Sequence, residues 1–113
     1  MLASGMSDFI PAQAITVQAV IVPKLEHLQD VEREMLSLVA ASRQEEGCLT
    51  YDLLRDEQNG TVRFHVQERY TGMDAVQAHR DSDHYRAFRT KAGEWFASAP
   101  QVTVLHDVDV VEK

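Results

Sequence analysis

The chain has 113 residues, 44% hydrophobic and 26% charged, a composition that fits one packed domain and excludes both a disordered chain and a two-domain enzyme with its own cofactor module. Eleven Lys plus Arg against eighteen Asp plus Glu leave a net charge of -7, with the basic residues scattered among acids, so nucleic acid and anionic membrane surfaces are not expected partners. Cys48 is the single cysteine, and no apolar run approaches the roughly 20 residues of a membrane span. A reducing, cytoplasmic setting without a signal peptide is therefore expected.

Residues 1–13 mix Ser, Gly and Pro without periodicity and read as a flexible arm, with Met6 as an alternative start; the folded domain is expected over 14–113. Ala14–Val22 (AITVQAVIV) is rich in β-branched residues and closed by Pro23, and its apolar character on both faces predicts a central strand. In Leu25–Arg43 the period changes: Leu28, Val31, Met35, Leu38 and Val39 recur at helical spacing, predicting an amphipathic helix that ends at Glu45-Glu46-Gly47. The two acids there read as a solvated face. Cys48–Arg55 and Val62–Tyr70 flank a turn cluster whose Asn59-Gly60 pair tolerates positive φ, predicting a hairpin. Thr71-Gly72 opens a helical stretch that pauses at Asp81-Ser82-Asp83. A second helical piece, capped by Ser82 or Asp83, then buries Tyr85, Phe88, Ala92, Trp95 and Phe96 before Pro100. Val102–Val110 alternates as a final strand.

The order strand, helix, strand, strand, helix, strand predicts an α+β domain of the ferredoxin-like βαββαβ kind, a four-stranded antiparallel sheet with its helices on one face. The strands carry apolar residues of both parities, as in Leu49 and Leu53 beside Cys48 and Leu54. A sheet with one wet face should alternate cleanly, so a second copy is expected to cover the open face in a two-fold homodimer.

Strand parity puts Phe64, Val66, Glu68 and Tyr70 on one face and His65, Gln67 and Arg69 on the other. If Phe64 and Val66 face the helices, Glu68 enters an apolar layer, either bonded to a structural partner or held with a raised pKa as an acid or base. His79 and His84 lie on either side of the helix break. Their spacing of five is not that of two zinc ligands on one helix turn and no third ligand is evident, so no metal site is expected. A helix start at Ser82 would hold a nearby histidine neutral, ready to take a proton; the alternative is that both histidines only tie the break together. His65 and His106 on strands read as cross-strand or interface residues, and Cys48 as inert packing. No Gly-rich phosphate loop or serine elbow is present.

Three stretches, SRQEEGCLTYDLLRD (42–56), RFHVQERY (63–70) and DAVQAHRDSDHY (74–85), resemble the antibiotic biosynthesis monooxygenase domain family, whose members include small quinol monooxygenases. The resemblance runs from about Ile15 to about Asp107. It implies a dimeric α+β barrel with a pocket between sheet and helices in each subunit. For the oxidising members it implies cofactor-independent oxygen insertion into quinols or polycyclic phenols, with O2 as second substrate. On this reading His79 or His84 is the base, Glu68 orients it or binds the phenol, and Tyr51, Tyr70, Phe64, Tyr85 and His65 line the substrate site. Many members carry Trp where this chain has Tyr70. The positions resembling the haem-degrading relatives' ligands are Arg89, Gln18 and Tyr70, which disfavours haem chemistry. The chain is also similar to the isomerase of the phosphorylated autoinducer-2 signal, whose dione substrate would call for cations such as Arg69 or Arg86. A non-catalytic ligand-binding dimerisation module is the third expectation.

Overall fold

The computed structural model describes residues 13–111. The expected arm therefore lies, apart from Gln13, outside the described residues. Strand β1 (Ile15–Ile21) is followed by a 3-10 turn (Leu25–His27) and helix α1 (Leu28–Ser42). The hairpin β2 (Cys48–Gln58) and β3 (Thr61–Tyr70) comes next, then helices α2 (Met73–Asp81) and α3 (Asp83–Ala92), a second 3-10 turn (Gly93–Trp95) and β4 (Gln101–His106).

The sheet order is β2-β3-β1-β4, antiparallel throughout, which is the ferredoxin-like topology. β1 is central, paired with β3 on one side and β4 on the other, as its apolar run predicts. The hairpin turns through Asn59 and Gly60 at φ 52° and 80°, the left-handed conformation that Asn-Gly tolerates most cheaply. Helix α1 presents Val31, Met35, Leu38, Val39 and Ser42 to the sheet, and α3 adds Phe88 and Ala92. They meet Ala19, Ile21, Phe64 and Val66 in the main core; a smaller cluster of Ile15, Val17, Tyr70 and Val76 holds α2 against the other end of the sheet. Each fully buried aliphatic side chain here contributes about 1.5–3 kcal/mol.

Two expectations about extent are corrected. β4 stops at His106 rather than Val110, and Val108 is 99% exposed. Beyond residue 106 no neighbouring strand pairs with the chain, so alternation alone does not sustain a strand. The hairpin strands are longer than their apolar patterns, running through the polar residues Asp56, Glu57 and Gln58 because the two-residue turn keeps them in register up to Gln58 opposite Thr61. The sheet face opposite the helices carries Leu54, 48% exposed, and Leu105, 38% exposed, among polar neighbours, with no helix over them among the described residues.

Candidate active site

The site begins with a break between helices. Helix α2 ends at Ser82, whose hydroxyl donates to the His79 carbonyl at 2.6 Å and accepts from the Tyr85 N–H at 3.3 Å, closing one helix and capping the next. That double role turns the chain sharply and leaves His79 buried against the sheet, 3% exposed. Its ring sits among those of Tyr85, Tyr51 and Tyr70, with centroids 4.9, 5.4 and 5.6 Å away.

The second element is the loop after α1. Gly47 lies so close to α2 that a Cβ built on it would fall 2.4 Å from the Ala75 Cβ, and its carbonyl accepts from the Thr71 N–H at 2.9 Å. This close approach, which only glycine permits, brings the preceding Glu45 onto the histidines. Glu45 Oε2 lies 2.8 Å from His79 Nδ1 and is also hydrogen-bonded to His84 Nε2. The expectation that Glu45 is a solvated acid is therefore corrected: it is half-buried and joins the two histidines. Its distance from them in sequence hid it.

The third element is β3. Glu68 points to the helix face, 7% exposed, and accepts a hydrogen bond from the Tyr70 hydroxyl at 2.5 Å. Its Oε1 is 4.0 Å from His79 Nε2, a buried ring nitrogen with no hydrogen-bond partner of its own. Burial pushes the Glu68 carboxyl up to about 7, the bond from Tyr70 holding back part of the rise. Burial lowers the His79 pKa, with Glu45 opposing. Desolvation, not the expected helix start, is the main cause. Glu68 thus has a structural partner in Tyr70 together with a raised pKa. Tyr51 and Tyr70 are driven up by burial and by Glu68, so both remain phenols.

A carboxylate at Glu45 accepts N–H bonds, which puts the His79 proton on Nδ1 and leaves Nε2 with a free lone pair beside Glu68. The result is a neutral base next to a carboxyl group that titrates near neutrality. The three side chains Glu45, His79 and His84 also bring their ligand atoms within 4.8 Å of one another, so the third ligand missing from the sequence argument exists. Two zinc ligands stand roughly 3 Å or more apart, so the Glu45 carboxylate would have to draw back from both rings to admit an ion.

Glu68, His79 and Tyr51 form the polar part of a chamber between sheet and helices, its other walls including Val17, Val66, Val76 and Phe88. Its open side is marked by Arg80, Tyr85, Arg89 and Val102. The chamber has a volume of about 40 Å³, enough for a few waters. An aromatic ring needs roughly 150 Å³, so admitting one requires the residues at the open side to move apart.

Of the residues expected at the site, Glu68, His79, Tyr51 and Tyr85 line this chamber, Tyr70 touches it through Glu68, and His84 stands behind His79 on Glu45. Phe64 is buried in the main core and is not among the lining residues. His65 is on the opposite sheet face beside Asp56 at 3.3 Å; the alternation that brings Glu68 inward takes His65 outward. Arg69 is bonded to Asp107 at 2.7 Å, and Arg86 is exposed near Asp81, so neither supplies the chamber with a cation. Arg80 and Arg89 do.

An antiparallel sheet backed by helices, with Glu68 and His79 facing one another in a mainly apolar chamber, defines a ferredoxin-like α+β protein. A family model for antibiotic biosynthesis monooxygenase matches residues 14–91, and the chain belongs to that family. Over 73 residues, 65% of this chain and 70% of the relative, it is 34% identical to Rv0793 of Mycobacterium tuberculosis, a candidate monooxygenase. The solved structure of Rv0793 superposes with a TM-score of 0.81 at 28% identity, covering 88% of this chain and 99% of that one. A candidate antibiotic biosynthesis monooxygenase from Caulobacter crescentus gives 0.80 at 28% identity, covering 93% and 99%. PA3566 of Pseudomonas aeruginosa gives 0.78 at 28% identity, covering 88% and 99%.

Proposed function

We propose that the chain is a cofactor-independent monooxygenase that inserts oxygen into a quinol or related phenol. The observation that carries this reading is the buried His79 Nε2, unpartnered and fixed as a lone pair by Glu45, facing Glu68 inside an apolar chamber. Deprotonating a hydroquinone gives an anion electron-rich enough to reduce O2 directly, so the protein must bind the ring, take a proton and keep water out. His79 Nε2 takes that proton. Glu68, in its carboxyl form, donates a hydrogen bond to the oxygen that gains charge, and Tyr70 keeps it oriented. Tyr51 and Tyr85 flank the ring. One oxygen atom enters the substrate and the other leaves as water, the substrate supplying all four electrons, so no flavin, haem or metal is called for. We assign the acting unit as a homodimer closed over the exposed Leu54 and Leu105 face, working in the cytoplasm; no helix among the described residues is long and apolar enough to cross a membrane.

The test is turnover of a hydroquinone under 18-oxygen gas. One labelled atom per product molecule, absent without protein, is the expected result. Unlabelled product, or labelling at the spontaneous rate, overturns the reading.

A further inference from the structure

The arginines of this acidic chain divide sharply. Six of the eight have a carboxylate at 2.5–3.8 Å, from Arg63 on Asp56 to Arg86 near Asp81. Among the described residues Arg80 and Arg89 have none, and these are the two that line the chamber. With eighteen acids to eleven Lys plus Arg, carboxylates are the plentiful partner, and the two guanidiniums without one share the same opening.

Their surroundings point the same way. Arg80 is half-buried and lines the chamber together with Glu68 and His79. Arg89 is exposed but held: its Nη1 donates to the Tyr85 hydroxyl at 3.0 Å, and its guanidinium lies 5.9 Å from that ring's centre. Tyr85 is thus shared between Arg89 and the aromatic wall around His79. The remaining wall is mainly apolar, so these two guanidiniums are the groups an anionic substituent meets at the open side, and charge-assisted hydrogen bonds to them would orient it.

We infer that Arg80 and Arg89 form an anion-reading subsite, and that the substrate carries a carboxylate or phosphate on an apolar body that enters the chamber. This inference rests on the reading of the chamber as the substrate site, but not on the reaction performed there. A phenolic acid and an aryl phosphate both meet the description.

Equilibrium binding to redox-inert probes separates the two questions. Calorimetry or NMR titration at pH 8 compares 1-naphthol, 1-hydroxy-2-naphthoate and 1-naphthyl phosphate on the wild type, on the R80Q/R89Q double variant and on R86Q, an exposed control outside the chamber lining with its own carboxylate. The expected result is an anionic probe bound about tenfold or more tighter than naphthol, a preference that falls to within about twofold in R80Q/R89Q and persists in R86Q. The tighter of the two anions names the headgroup. Equal affinity for all three probes in the wild type, or a preference that survives in the double variant, overturns the inference. Oxygen uptake from a neutral hydroquinone stays a separate measurement, so loss of one result leaves the other standing.

Discussion

Replacing Glu68 by Gln should stabilise the fold above neutral pH while impairing the site. In the folded protein the carboxyl titrates near 7 against 4.5 for an unperturbed glutamate, and burial is the main cause. The folded state therefore holds this proton more tightly than the unfolded chain, and stability falls as pH rises from about 4.5 to about 7, then levels off. The displacement corresponds to about 3 kcal/mol. Gln has nearly the same shape, keeps an oxygen to accept from the Tyr70 hydroxyl and cannot ionise. Urea unfolding at pH 5 and pH 8 is the assay. Taking variant minus wild type at each pH cancels the opposite contribution of His79, except for its coupling to Glu68 across 4.0 Å. E68Q is expected to match the wild type at pH 5 within about 1 kcal/mol and to exceed it at pH 8 by most of the 3 kcal/mol. A variant less stable than wild type at pH 8, or a difference independent of pH, would refute the claim that Glu68 is ionised at a cost to the fold.

Further outcomes follow from the same geometry. Glu45→Gln should lower the turnover rate of a hydroquinone by about 10- to 100-fold and alter its pH profile, because an amide can donate as well as accept and no longer fixes the His79 tautomer; a rate equal to wild type would remove Glu45 from the account. Gly47→Ala should destabilise the fold by about 1–3 kcal/mol in urea melts through its clash with Ala75, and the added Ala75→Gly change should restore most of the loss. Burial pushes the Cys48 thiol up to about 11, so it should react with a disulfide reagent at pH 8 far more slowly than free cysteine. Light scattering at micromolar concentration should return twice the 12.8 kDa chain mass, and a monomer would defeat the homodimer assignment.

The sequence exposed what depends on local periodicity. Val31, Met35 and Leu38 mark a helix in any context, Asn59-Gly60 marks its turn, and Ser82 marks both the end of one helix and the start of another. Parity alone turned Glu68 inward. What stayed hidden depends on contacts between distant segments. Glu45 lies 34 residues from His79, and an acid pair before a glycine looks like any solvated loop; the one available signal was Gly47, whose need for close backbone approach is visible only once Ala75 is beside it. Arg80 and Arg89 are ordinary helix residues until six other arginines are seen to be paired. The same alternation that exposed Glu68 should have removed His65 from the expected site, since the two stand three apart on one strand.

The most direct test of the account is oxygen consumption by cofactor-free protein given a hydroquinone, measured for the wild type, His79→Ala and Glu68→Gln at equal folded concentration. Wild-type uptake is expected well above the spontaneous rate and insensitive to prior chelator treatment, with a fall of about 100-fold or more on loss of His79 and impairment in E68Q. Wild-type uptake no faster than buffer, or an H79A variant as fast as wild type, would contradict it.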